Sequence, residues 1–160
     1  MFYDLEDPIS FVEDIYECLD DNVIWHLEQS YMPSMIKNIS YDTICHEHLE
    51  YYSLKSLKFI LDNVGFKIIN IELNNVNGGS FAVTAAKKKS KHEEQKKIIN
   101  WLLKKEEISN FNKFETIKEF GVKAETQKIL LKDLLNNLTD MGKTVYGYGA
   151  STKGNVILQY

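Results

Sequence analysis

Two of the chain's four histidines stand in one stretch, Tyr41-Asp42-Thr43-Ile44-Cys45-His46-Glu47-His48-Leu49-Glu50-Tyr51-Tyr52, with acids and phenols on both sides. A hydrophobic core has no use for such a composition. A histidine next to a carboxylate is a general-base arrangement, because the acid fixes the imidazole tautomer and supports the imidazolium formed on proton uptake. In extended backbone His46 and His48 would share one face, their Cα atoms roughly 6.6 Å apart, with Cys45 and Glu47 on the other. A turn would bunch all four. A two-histidine metal clasp stays open, although Glu50 stands where the HExxH pattern needs its second histidine. His26, His92 and Cys18 lie in other elements and supply no obvious third ligand. A polar loop with satisfied histidines is the plain structural alternative.

Two glycine-rich turns come next. Gly147-Tyr148-Gly149-Ala150-Ser151-Thr152-Lys153-Gly154 has the strand, turn and helix context of a phosphate cradle, with Lys153 able to meet a phosphate as a point charge. Its spacing is neither GxGxxG nor GxxxxGK[ST], so a structural tight turn explains it equally well. Asn77-Gly78-Gly79-Ser80 offers a close backbone approach to a ligand, or simply a hairpin loop.

The elements that must hold these residues follow from pattern. Asp7-Pro8 and the apolar spacing of Phe11, Val12, Ile15, Tyr16 and Leu19 predict a helix over about 8–19. Val23 to Leu27 predicts a mostly buried strand, and Met32 to Lys37 a short helical turn behind Pro33. Ser53 caps a helix striped by Leu54, Leu57, Ile60, Leu61 and Val64 and stopped by Gly65. Phe66–Leu73 and Ser80–Ala86 then read as an antiparallel hairpin, so the fold class is α/β. Lys87-Lys88-Lys89-Ser90-Lys91 reads as a solvated linker over 87–91. Beyond it the pattern predicts a helix over about 92–106 with Ile98, Trp101 and Leu102 inward. A second helix follows over about 123–138 with Ile129, Leu130, Leu134 and Leu138. Thr144-Val145-Tyr146 predicts a short strand, and Asn155 to Tyr160 the start of a helix. An unfinished helix at that point is the pattern of a fragment.

Composition narrows the class. The chain has 160 residues, 44% hydrophobic and 26% charged, as an ordinary globular chain does. No apolar run approaches the ~18–20 residues of a membrane span, and two cysteines fit a reducing compartment, so a cytoplasmic protein without membrane attachment is expected. Residues 1–80 carry 14 acids and 4 lysines, whereas residues 81–160 carry 9 acids and 15 lysines. That asymmetry suits a phosphorylated ligand on the later half, or merely two differently solvated surfaces. Every basic residue is lysine, so the planar clamps of arginine are absent and nucleic acid is not an expected partner.

Taken together, Tyr41 to Leu54, Asn77 to Ser80 and Gly147 to Asn155 resemble the sugar C-methyltransferases. The likeness runs over essentially the whole chain, including Met1-Phe2-Tyr3-Asp4-Leu5-Glu6-Asp7-Pro8, which is similar to the loop after the fourth strand of the methyltransferase sheet. The resemblance implies S-adenosylmethionine as methyl donor and a nucleotide-linked deoxy-keto sugar as acceptor. It implies that residues 1–86 are the C-terminal half of a Rossmann-like class I methyltransferase sheet. Residues 92–160 would be the truncated start of a second Rossmann-like domain. A zinc-binding N-terminal module and the glycine-rich cofactor loop of that family have no counterpart here, and Asp4 is the candidate neighbour of the cofactor.

The resemblance also assigns roles. His48 is the base, Glu47 its partner or an acceptor for a substrate hydroxyl, and His46 a supporting group. Cys45, Tyr51, Tyr52, Gly78, Gly79, Gly147, Tyr148, Gly149, Lys153 and Asn155 would line the substrate site. Cys45 departs from the family, which places a tyrosine there; a thiol is the weaker hydrogen-bond donor, and Tyr51 or Tyr52 would take over. Self-association, and a non-catalytic remnant or binding module with the same fold, are the competing expectations.

Overall fold

The Asp7 carboxylate accepts the Ser10 amide at 3.0 Å, and Pro8, with no amide to satisfy, opens helix α1 (Pro8–Cys18). The computed structural model describes residues 2–149 and 151–160; Met1 and Ala150, the latter inside the motif 147–155, lie outside the described residues. After α1 come β1 (Ile24–Ser30), α2 (Met32–Asn38), α3 (Leu54–Val64), β2 (Phe66–Asn74) and β3 (Ser80–Lys87). Then follow α4 (Lys96–Ser109), α5 (Phe114–Asp140) and α6 (Thr152–Gln159). Short 3₁₀ turns occupy Phe2–Asp4, Tyr41–Thr43 and Val76–Gly78.

The three strands form one antiparallel sheet in the order β1-β3-β2, so the α/β reading and its closing hairpin hold. A bulge between Ile68 and Asn70 shifts the alternation of β2 by one residue. That shift keeps Phe66, Ile68 and Ile71 all buried. Facing them are Val12 of α1, Leu54, Leu57, Ile60 and Leu61 of α3, and Ile99 and Leu102 of α4. Each fully buried leucine here contributes roughly 1.5–3 kcal/mol relative to exposure. Ser53 and Ser56 close a reciprocal capping box on α3, and Gly65, at φ +110°, ends it in the left-handed region.

Four expectations are corrected. The strand expected to be mostly buried, β1, is only half covered: Ile24, His26 and Glu28 are exposed while Trp25, Leu27 and Gln29 turn inward, as on an edge strand with one face packed. The lysine run is not solvated throughout. Lys87 closes β3 opposite Phe66, is buried over the Tyr16 ring at 4.3 Å, and reaches Asp21 at 3.8 Å; Ser90 is buried too. The face of α4 is one residue out of phase with the prediction, so Ile99 and Leu102 are inward while Ile98 and Trp101 are exposed. Thr144 to Tyr146 form no strand, because nothing among the described residues pairs with them, and a lone extended segment has no stability of its own.

The last two helices also differ in extent. α5 begins nine residues before the predicted start, and its Ile129, Leu130 and Leu134 are exposed. α6 begins at Thr152, capped by Ser151, whose hydroxyl accepts from the Gly154 amide at 3.3 Å.

Candidate functional site

The stretch from Cys45 to His48 takes the turn, not the extended alternative. The His48 amide donates to the Cys45 carbonyl at 3.1 Å, and the amides of Leu49 and Glu50 both donate to the Tyr3 carbonyl, at 2.9 and 3.1 Å. The two histidines consequently face different surroundings. His46 is solvent-exposed (91%) and lies 3.4 Å from the Glu47 carboxylate. His48 is half-buried, its ring tilted against Tyr3 at a centroid distance of 4.3 Å and edge-on to Tyr51 at 6.4 Å.

A backbone carbonyl can only accept, so the 2.8 Å contact between His48 Nδ1 and the Thr43 carbonyl places a hydrogen on Nδ1. In the neutral ring the lone pair is then on Nε2. The Thr43 carbonyl also accepts from the Tyr51 hydroxyl at 3.4 Å, and Thr43 itself is buried and anchored through its own hydroxyl to the Ser40 carbonyl. Glu47 sits with His46 rather than with His48; its carboxyl is held below the usual range by its backbone amide and by the Cys45 thiol. Burial, and then the same hydrogen bond, push the Cys45 thiol up.

The tyrosines divide by accessibility. The Tyr52 hydroxyl is buried with no partner among the described residues, and burial pushes its pKa up to about 12. Tyr51 and Tyr3 are only partly buried, and burial raises both, so they are neutral donors near neutral pH. Tyr3 belongs to the His48 surroundings although the sequence reading did not single it out; its place depends on the long-range bonds from Leu49 and Glu50, which leave no local signal.

The three separated motifs meet. The Lys153 ammonium donates to the Asn77 carbonyl at 3.1 Å, the Asn38 side-chain amide donates to the Gly78 carbonyl at 2.7 Å, and Tyr41 packs its ring on Tyr160 at 5.4 Å. Between the turn and α6 lies a cleft of about 450 Å³ lined by Cys45, His46 and Glu47 on one side and Thr152, Asn155 and Gln159 on the other. His48 is not among its lining residues. Gly78 and Gly79, at φ +83° and +126°, face Ser40 and Ser34 so closely that a Cβ on either would collide. Their glycine identity thus has a packing cause. Gly147, Tyr148 and Gly149 are exposed and are not among the residues that line this cleft. Among the described residues no three His, Cys, Asp or Glu side chains gather as metal ligands, and no helix is long and apolar enough to cross a membrane.

The α/β scaffold brings the His-Glu-His turn against the start of α6, and comparison with known proteins gives the family. Residues 75–160 match the family described as C-methyltransferase C-terminal domain, over half of the chain, and the chain belongs to that family. It is 31% identical over 154 residues to C-methyltransferase NovU of Streptomyces niveus, a match covering 92% of this chain and 36% of NovU. The chain therefore spans about a third of the length of that curated relative.

Proposed function

We propose that this chain is the acceptor-activating portion of a C-methyltransferase acting on a nucleotide-linked deoxy-keto sugar, with S-adenosylmethionine as methyl donor. Carbon is a poor nucleophile. Methylation beside a ketone needs a base to take the α-proton and a donor to hold the enolate oxygen. His48 is that base, and the observation carrying it is the Nδ1 bond to the Thr43 carbonyl, which leaves Nε2 as the proton acceptor. Tyr51 is the better enolate donor of the two candidates, since the Tyr52 hydroxyl is buried out of reach. Asn155 and Glu47, across the cleft from one another, suit sugar hydroxyls, and Lys153 a diphosphate nearby.

S-adenosylmethionine supplies an electrophilic methyl group. The described residues do not fit the whole of it: the Gly78-Gly79 turn is filled by Ser34 and Ser40, and Gly147 and Gly149 follow no strand. Asp4, beside Tyr3, is the one candidate neighbour, and no step here is routed through the donor. The three-stranded sheet is, in this proposal, the end of a Rossmann-like sheet, and the protein works in the cytoplasm.

One observation favours a second assignment. His46 and Glu47, 3.4 Å apart, line the cleft that His48 does not, so they form the alternative base pair. Hydrogen exchange in D2O at the α-carbon of a nucleotide-linked deoxy-keto sugar, followed by NMR without methyl donor, separates the assignments. His48→Ala is expected to lower the exchange about 100-fold or more, the worth of a general base, and His46→Ala less. Exchange at the wild-type rate in His48→Ala transfers the role to His46 and Glu47. Exchange no faster than buffer with the wild-type chain favours a non-catalytic binding module.

A further inference from the structure

Glu106 is 4% exposed, on the inward face of α4 with Ile99 and Leu102, and none of the chemistry above uses it. Its carboxylate accepts three hydrogen bonds: from the Tyr31 hydroxyl at 2.7 Å, the Leu54 amide at 2.6 Å and the Lys55 amide at 3.0 Å. Leu54 and Lys55 open α3, so their amides have no partner within the helix and stand at the positive end of its dipole. A buried carboxylate meeting three donors is compensated for its lost hydration.

The location of those donors is what gives Glu106 a further role. Beyond its bonds to Thr43 and Cys45, the chain from His48 to Lys55 is fastened through its backbone at three places. Leu49 and Glu50 bond to the Tyr3 carbonyl, the Met32 amide donates to the Tyr52 carbonyl at 2.9 Å, and Leu54 and Lys55 bond to Glu106. Tyr31 immediately precedes Met32, and its own amide donates to the Gly79 carbonyl at 3.0 Å. One side chain thus braces both flanks of the Met32–Tyr52 bond, and through Tyr31 it holds the glycine turn as well.

We propose that Glu106 is a positioning residue, whose carboxylate fixes Tyr31 and the start of α3 together and so sets where the His48 imidazole stands. This rests on the reading of His48 as the base, but it concerns geometry, and its test reads the imidazole without turnover. The Tyr31 hydroxyl and the Leu54 amide share one carboxylate oxygen and the Lys55 amide takes the other, so glutamine at 106 keeps the shape and, with its carbonyl on the first pair, presents an NH2 to the Lys55 amide; a space-filling role would survive Glu106→Gln and the brace to Lys55 would not.

The test is NMR of the 160-residue chain at fixed pH. Wild type is compared with Glu106→Gln, with Tyr31→Phe, and with Ile99→Val, which lowers stability on the same helix face without touching the carboxylate. In Glu106→Gln the Lys55 amide is expected to exchange with solvent at least tenfold faster, and the His48 ring resonances to move. Tyr31→Phe should move His48 less and in the same direction, and Ile99→Val not at all. If Glu106→Gln does not fold, Tyr31→Phe decides alone, movement of His48 supporting the proposal and wild-type resonances overturning it. The proposal is also overturned if Glu106→Gln leaves either the Lys55 amide or His48 as in wild type, or if Ile99→Val moves His48 as far. Failure of the His48 reading itself would show instead as α-proton exchange surviving His48→Ala, a result independent of how the His48 ring resonances respond to Glu106→Gln.

Discussion

A backbone carbonyl 2.8 Å from Nδ1 decides which nitrogen of His48 can take a proton, and the residue types around it decide what else is charged. Glu47 was legible as an acid beside two histidines, but which histidine it serves was not. The turn at Cys45–His48 turns it to His46 and the Cys45 thiol, an outcome set by backbone bonds to Tyr3 that lie over forty positions away in the chain. Those contacts yield a residue-scale prediction. Burial first and Glu47 second raise the Cys45 thiol, so at mildly alkaline pH less of it is thiolate than in an unhindered cysteine. Glu47→Gln removes the negative charge, the pKa falls back towards its ordinary value, and the thiolate fraction rises. In a Cys18→Ser background, iodoacetamide should then alkylate Cys45 severalfold faster than in the parent. Equal rates would mean that the carboxylate does not reach the sulfur in solution.

At the scale of elements, local chemistry was legible wherever a turn or cap is built from neighbouring residues. Ser53 ahead of an apolar stripe, Gly65 after it, and Asn77-Gly78-Gly79 between β-branched runs all form what their types dictate. Ser53→Ala should therefore lower stability by about 1 kcal/mol. Gly79→Ala, at a positive φ and against Ser34, should cost about 1–3 kcal/mol. Urea unfolding of both variants checks the pair, and a Gly79→Ala chain as stable as wild type would contradict the observed turn. Elements placed by distant partners were not legible. The stripes 98, 101, 102 and 99, 102, 106 fit a helix equally well, and the second ends on an acid, Glu106, which apolar pattern does not place inward. Its burial becomes reasonable only once the α3 amides and Tyr31 are seen around it. Thr144 to Tyr146 has strand-forming residues and no strand to pair with among those described.

Over the whole molecule the apolar surfaces are unevenly covered. The inner face of the sheet is closed by α1, α3 and α4, and Phe120 and Ala124 are the buried residues of α5. Farther along α5, Ile129, Leu130, Leu131, Leu134 and Leu135 are all exposed, Leu134 to 55%. The edge of β1 that does not face β3 is likewise unpaired among the described strands. Contiguous apolar surface of this kind marks a surface that associates, and an open strand edge adds a second route. Because the described glycine turns do not form a cradle for S-adenosylmethionine, that ligand should not quench the association by stabilising the fold; isothermal titration of the chain should find at best weak binding, and micromolar affinity would relocate the cofactor site onto these residues. Sedimentation of the purified chain is expected to give a mass that rises with protein concentration. The double substitution Leu130→Glu and Leu134→Glu should lower that mass towards the monomer, since it charges the centre of the exposed stripe without touching Phe120 or Ala124. A wild-type chain that sediments as a monomer at all concentrations, and unfolds in one sharp transition, would mean that the α5 surface does not associate. A mass unchanged by the double substitution would shift the contact to the edge of β1.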